Sequence, residues 1–113
     1  MKLRTSAKIN LNLEIFSEKQ DNLHKLSSLM IPIDIYDDIE IEESISETIK
    51  FSDENLNTIE STVHKALKLI RKNNPSFDKS FDIYIDKKIP YSSGLGGGSS
   101  DAGAVIRYLC DNY

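Results

Sequence analysis

The sequence is short of what would hold it in a membrane, a disulfide framework or a nucleic-acid groove. Its 113 residues include one cysteine, Cys110, which excludes an internal disulfide and any zinc site built from several thiolates. No apolar run approaches the ~18–20 residues that a membrane-spanning helix needs. The opening Met1-Lys2-Leu3-Arg4-Thr5-Ser6 leads into an alternating pattern, not the continuous apolar block of a signal peptide. Basic residues form no cluster, and 14 Lys and Arg against 18 Asp and Glu give a net charge of -4. That balance does not suit sequence-blind binding to phosphate backbones. There are no repeats and no low-complexity tract. What is present, 39% hydrophobic and 28% charged residues, suffices for the core of one soluble domain. The expectation is a single cytoplasmic domain with neither a nucleic acid nor a membrane as partner.

Hydrophobic periodicity divides the chain. In Ala7–Ile15 the residues Ile9, Leu11, Leu13 and Ile15 alternate with Lys8, Asn10, Asn12 and Glu14, which predicts a strand with one apolar and one polar face. Ser17–Asn22 reads as a turn. A second strand is expected from about His24 to Ile35, with Leu29, Ile31, Ile33 and Ile35 on one face and Pro32 marking an edge or a bulge. Ile39–Glu42 and Thr48–Phe51 read as short strands, and the acidic run Asp37–Glu43 as a solvated strand edge. The period then changes. Ile59, Val63, Ala66, Leu67 and Ile70 form a helical stripe, with Asn55 or Asn57 as its cap and Asn73-Asn74-Pro75 as its end. Phe81–Ile89 is a further strand and Pro90–Gly98 a loop. A last helix is expected from Ser99, with Ala102, Val105, Ile106, Leu109 and Tyr113 on one stripe. His64 and Cys110 receive no role.

The loop concentrates the chemistry. Four of the five glycines fall within Pro90-Tyr91-Ser92-Ser93-Gly94-Leu95-Gly96-Gly97-Gly98-Ser99-Ser100-Asp101, between a strand and a helix. Glycine lets an anion approach backbone N–H groups with no Cβ in the way. The following helix aims its unpaired N–H groups and positive dipole end at the same place. Ser99 and Ser100 offer hydroxyls for a cap, a phosphate or a magnesium ion, and Asp101 offers a carboxylate to the first helical turn. Common loops do not match. A P-loop needs a lysine here, a dinucleotide fingerprint needs glycine at Ser99, and the hydrolase elbow needs glycine at Asp101.

Pro90-x-x-Ser93-Gly94-Leu95-Gly96-Gly97-Gly98-Ser99-Ser100 instead resembles the phosphate loop of the GHMP kinases, a superfamily of small-molecule kinases. Ala7-Lys8-Ile9-Asn10-Leu11-Asn12-Leu13 and Asp21-Asn22-Leu23-His24-Lys25-Leu26-Ser27-Ser28-Leu29-Met30, leading to Asp34-Ile35-Tyr36-Asp37, resemble, in the same order and similar spacing, the branch of that family that serves non-mevalonate isoprenoid (terpenoid) biosynthesis. The resemblance implies an α+β domain of the ribosomal-protein S5 domain 2-like fold, a mixed β-sheet with helices packed on one face. It implies ATP and Mg2+, and a small-molecule acceptor, the 2-hydroxyl of 4-diphosphocytidyl-2-C-methyl-D-erythritol, a cytidine diphosphate sugar alcohol. It assigns Lys8 as the catalytic lysine, which stabilises charge on the acceptor and the transferred group. Asn10 and His24 are assigned to the substrate, His24 through the cytosine edge. Pro90, Ser93, Gly94, Leu95, Gly96, Gly97, Gly98, Ser99, Ser100 and Asp101 are assigned to the ATP phosphates, with Ser99 also on magnesium. Leu23 stands where the family usually has tyrosine, giving apolar contact with the substrate without ring stacking.

The family's general base, an aspartate in Gly-x-Asp-x-Pro, has no match in residues 1–113, and the last helix meets no stop signal before Tyr113. The expectation is therefore a truncated N-terminal, ATP-binding domain, inactive alone, without the family's C-terminal domain and with exposed apolar surface that favours self-association. Two other readings stand beside it. One is another GHMP kinase, of homoserine or mevalonate type, against which His24 and the Ala7–Leu13 block argue. The other is a non-catalytic remnant that binds a nucleotide or a partner.

Overall fold

The structure is a computed structural model that describes the backbone of residues 1–20, 23–90 and 95–113, and the side chains of residues 1–10, 29–90 and 95–113. Its elements are β1 (Lys2–Gln20), β2 (Leu23–Ser44), β3 (Thr48–Phe51), a 3-10 turn (Glu54–Thr58), α1 (Thr62–Asn73), β4 (Ser80–Asp86) and α2 (Gly97–Asn112). The strands form one sheet in the order β1-β2-β4-β3. The β1/β2 and β2/β4 pairs are antiparallel and β3/β4 is parallel, so the sheet is mixed. The parallel pair requires a crossover, and α1 supplies it.

Period two decides which side of the sheet is covered. Ile39 and Ile41 of β2 and Phe81, Ile83 and Ile85 of β4 point into a core shared with Val63 and Leu67 of α1 and Val105 and Leu109 of α2. Glu40, Glu42 and Tyr84, one residue out of phase, lie on the exposed face. Both helices therefore cover one face of the sheet, as expected. Each fully buried aliphatic side chain contributes about 1.5–3 kcal/mol.

Several details depart from the sequence reading. The expected turn at Ser17–Asn22 is strand through Gln20, and residues 21–22 lie outside the description. The strand from His24 and the strand at Ile39 are one continuous β2. The pairing skips from Ser6↔Tyr36 to Ala7↔Ile33, so the extra residues form a bulge. Pro32 lies beside that bulge, in a stretch of β2 bonded only to β1, where a missing N–H costs nothing. The acidic run is not a solvated edge. Between β1 and β4 its alternate residues Asp37, Ile39 and Ile41 are buried, while Glu40 and Asp38 meet Lys2 and Arg4 outside. Leu29, Ile31 and Ile35 are exposed, in the part of β2 that pairs with β1 alone.

The helix starts also move. α1 begins at Thr62 and is capped by Ser61, whose hydroxyl accepts the His64 N–H while the Ser61 N–H donates to His64 Nδ1. This reciprocal cap satisfies two otherwise unpaired donors, and it gives His64 a structural role. Asn57 instead holds the Phe51 backbone through both its amide oxygen and its amide nitrogen, and Ile59 lies outside the helix, exposed. α2 starts at Gly97, two residues earlier than expected.

Candidate active site

The first turn of α2 is built without a side-chain cap. Gly96 is the N-cap at φ 75°, in the left-handed region where glycine is favoured. The first intrahelical bond at this end runs from the Ser100 N–H to the Gly96 carbonyl, 3.0 Å. The N–H groups of Gly97, Gly98 and Ser99, the first three of the helix, have no partner within it. Three adjacent amides at a positive dipole end make an anion-binding turn.

Lys8 comes to this turn from β1. Its backbone N–H donates to the Leu95 carbonyl at 2.8 Å. Its stem packs over Gly96 so closely that a Cβ there would lie 2.8 Å from Cε and 3.1 Å from Cγ. Lys8, Met30, Gly96, Ser99, Ser100, Gly103 and Arg107 line one cavity of about 540 Å³. Two cations and the start of α2 at Ser99 and Ser100 thus face a common space, which suits a polyanion.

Beside it, across the first turn of α2, lies a smaller cavity of about 150 Å³. Phe51, Leu56 and Ile59 form its apolar wall, and Thr62, Lys87 and Gly98 lie on the side of the helix starts. Thr62 Oγ1 donates to the Gly98 carbonyl at 2.7 Å, joining the N-termini of α1 and α2.

Under the turn is a buried charge cluster. Lys87 Nζ donates to Asp37 Oδ2 at 2.6 Å and to Asp101 Oδ2 at 3.0 Å. Thr5 Oγ1 donates to Asp101 Oδ1 at 3.0 Å. The N–H groups of Lys88 and Ile89 donate to Asp37 Oδ1 at 2.8 and 2.9 Å. Asp37 and Asp101 are 0% and 1% exposed, and charges that deep persist only when paired and hydrogen-bonded. Burial raises the Asp101 pKa, the Asp37 carboxyl adds to that, and together they outweigh Lys87 and push it up to about 7. Burial also works on Asp37, but its contact with Asp101, the two backbone N–H groups and Lys87 hold it below the usual aspartate value. The Lys87 ammonium is penalised by burial, yet the two carboxylates lift its pKa above the ordinary lysine value.

Of the residues singled out in the sequence, Lys8, Gly96, Ser99 and Ser100 line one cavity. Leu95 and Gly97 adjoin it, and Gly98 faces the smaller cavity. Ser100 turns its hydroxyl back to the Ser6 carbonyl at 2.9 Å. Ser99 is exposed at the cavity, and Asp101 points away from it into the buried cluster. Asn10 is exposed on β1 opposite Met30, and Pro90 is exposed. Ser93 and Gly94 lie outside the described residues, as do the side chains of Leu23 and His24. Sequence reasoning gave no site role to Lys87, Asp37, Thr5 or Arg107. One signal was present: Lys87-Lys88-Ile89-Pro90 leads directly into the glycine loop.

Comparison with known proteins bears on this arrangement. Residues 61–113 match the family described as GHMP kinases N terminal domain. The 4-diphosphocytidyl-2-C-methyl-D-erythritol kinase of Alkaliphilus metalliredigens is 38% identical over 112 residues, covering 96% of this chain and 38% of the relative. The enzyme of the same name from Clostridium tetani is 39% identical over 116 residues, covering 100% of this chain and 41% of the relative. A crystal structure of 4-(cytidine 5'-diphospho)-2C-methyl-D-erythritol kinase superposes with a TM-score of 0.76 at 30% identity, over 100% of this chain and 41% of that one.

The chain belongs to the GHMP kinase family.

Its mixed four-stranded sheet with helices on one face is the N-terminal domain of that family, and it spans about two fifths of the length of these relatives. Within this GHMP domain the glycine turn and Lys8 are neighbours. Among the described residues no helix is long and apolar enough to cross a membrane, and no group of three His, Cys, Asp or Glu side chains gathers to hold a metal.

Proposed function

We propose that residues 1–113 are the ATP-binding part of a kinase that phosphorylates the 2-hydroxyl of 4-diphosphocytidyl-2-C-methyl-D-erythritol. The observation that carries the reading is the packing of the Lys8 stem over Gly96, with Lys8, Ser99 and Ser100 lining one cavity at the start of α2. The names of the relatives at 38% and 39% identity support the choice of acceptor.

The residues present fit a nucleotide. The amides of Gly97, Gly98 and Ser99 take the phosphates, which need donors with no Cβ in the way. The apolar cavity at Phe51, Leu56 and Ile59 lies across the same turn and suits the base. ATP supplies the transferable phosphoryl group, and the protein supplies position and positive charge, the main requirements of this reaction class. Lys8 provides that charge beside the turn, and Arg107 adds to the field. Magnesium enters with the nucleotide. The Ser99 hydroxyl is the ligand this turn offers it, since both Asp101 oxygens are engaged by Thr5 and Lys87. Asn10 and His24 orient the acceptor from the hairpin, with Leu23 as an apolar contact.

In this reading the family's C-terminal domain and its aspartate base complete the site, and the 113-residue chain binds nucleotide without turning it over. The enzyme is cytoplasmic. The test is transfer of labelled γ-phosphate by the intact protein carrying this sequence. Labelled 4-diphosphocytidyl-2-C-methyl-D-erythritol, with homoserine and mevalonate unlabelled, is the expected outcome. Labelling of homoserine or mevalonate in its place contradicts the assigned substrate, and no labelling of any acceptor contradicts the kinase reading.

A further inference from the structure

Three contacts fix the distance between β1, which carries Lys8, and the amides of α2. They are Lys8 N–H to the Leu95 carbonyl, Ser100 Oγ to the Ser6 carbonyl, and Thr5 Oγ1 to Asp101 Oδ1, at 2.8, 2.9 and 3.0 Å. The third differs from the others. Asp101 passes the connection on, because its second oxygen holds Lys87 at the end of β4, and Lys87 holds Asp37 of β2. One carboxylate near the start of α2 therefore joins β1, β2 and the β4–α2 connection. Gly97 adjoins the same node, and a Cβ there would lie 3.0 Å from Lys87 Nζ and 2.8 Å from Ile89 Cγ2.

We infer that Asp101 is a positioning residue for phosphoryl transfer: through Thr5 and Lys87 it sets the reach of Lys8 over the anion-binding turn and does not itself touch nucleotide or metal. This rests on the kinase reading above. The phosphates are held by amides that belong to α2 alone, so nucleotide affinity is largely independent of the node. Turnover depends on the placement of Lys8, which is on β1, and is therefore sensitive to it. A misplacement of about 1 Å costs up to about 10²-fold in rate.

The groups facing Asp101 are Thr5 from β1, Asp37 from β2 and Lys87 after β4. The split between kcat and nucleotide KM, and rescue by the conservative variant, are readouts that loss of packing alone does not move. The experiment measures kcat and nucleotide KM of the intact protein with Asp101→Ala, Asp101→Asn and Thr5→Val. Asp101→Ala is expected to lower kcat about tenfold, with nucleotide KM within about threefold, since the other two contacts remain. Asp101→Asn keeps an oxygen for Thr5, so it recovers most of that rate. Thr5→Val keeps the volume but lowers kcat.

A loss confined to KM in Asp101→Ala and Thr5→Val overturns the inference and makes Asp101 a nucleotide ligand. So does an Asp101→Asn protein as slow as Asp101→Ala. If Asp101→Ala does not fold, Thr5→Val decides, and wild-type kcat there overturns the inference. Failure of the unsubstituted protein to bind or turn over nucleotide would instead strike the kinase reading, which separates the two.

Discussion

Lys8 occupies the space that a side chain on Gly96 would need. The lysine Cε lies 2.8 Å from where that Cβ would stand, and Gly96 is at φ 75°. The conformation that begins α2 and the seat of the lysine are therefore one requirement. A residue that can take left-handed backbone but carries a Cβ still displaces the ammonium-bearing chain.

Gly96→Ala tests that requirement. The left-handed backbone costs a residue with a Cβ about 1–2 kcal/mol, and the Lys8 stem must also move. The expected outcome is a lower unfolding temperature together with loss of turnover. Gly97→Ala meets Ile89 Cγ2 at 2.8 Å and Lys87 Nζ at 3.0 Å, so it disturbs the buried cluster beneath the turn. Thermal unfolding and steady-state rates check both, and a Gly96→Ala protein with wild-type kcat contradicts the seating of Lys8.

The buried carboxylates give stability opposite pH dependences. Asp37 is held below the usual aspartate pKa by the contacts that outweigh its burial. Its contribution is present above the unfolded value near 4 and is lost as pH falls through the folded value. Asp101 is raised to about 7 by burial and by Asp37. It binds its proton more readily folded than unfolded, so its contribution is full below about pH 4 and declines as pH rises through 7. Denaturant midpoints across pH should show Asp101→Asn removing a decline between pH 4 and 7. Asp37→Asn should lower stability at neutral pH and flatten the acid limb. An unchanged slope in Asp101→Asn contradicts the burial of that carboxyl.

The start of α1 offers a test away from the site. Ser61→Ala removes one half of the reciprocal cap and should cost about 1 kcal/mol, within the range measured for helix N-caps. His64→Gln keeps a side-chain acceptor for the Ser61 N–H and should cost less than His64→Leu. Chemical denaturation measures both, and equal losses for the two His64 variants contradict the cap.

Much of this was legible in the sequence, for local reasons. Alternation at Ile39–Ile41 and Phe81–Ile85 placed strands, and the Val63, Ala66, Leu67 spacing placed α1. The glycine turn was readable because its chemistry lies in consecutive residues. The buried cluster was not. Lys87 reaches Asp37 across 50 residues and Asp101 across 14, and no periodicity marks such a meeting. Asp37 was hidden in an acidic run whose alternation, not its charge, decided its place. Ser61 was overlooked as the cap because Ile59 extended the apolar stripe three residues ahead of the real start. The hairpin exposes Leu29, Ile31 and Ile35, in the part of β2 that pairs with β1 alone, although their pattern matches that of buried strands.

Removal of the Lys8 ammonium separates its charge from the turn. In the intact protein Lys8→Ala should reduce kcat by about 10² or more while nucleotide affinity changes a few-fold, as expected for a group that acts on developing charge. Equal losses in kcat and in affinity contradict that role.

The most direct measurement is a magnesium-ATP titration of the isotope-labelled protein, followed at backbone amides. The account predicts that Gly96, Gly97, Gly98 and Ser99 shift together, with Lys8 responding, while Cys110 and Tyr113 at the far end of α2 stay still. Silence at those four amides in millimolar nucleotide, or shifts centred on Cys110 and Tyr113, would contradict it.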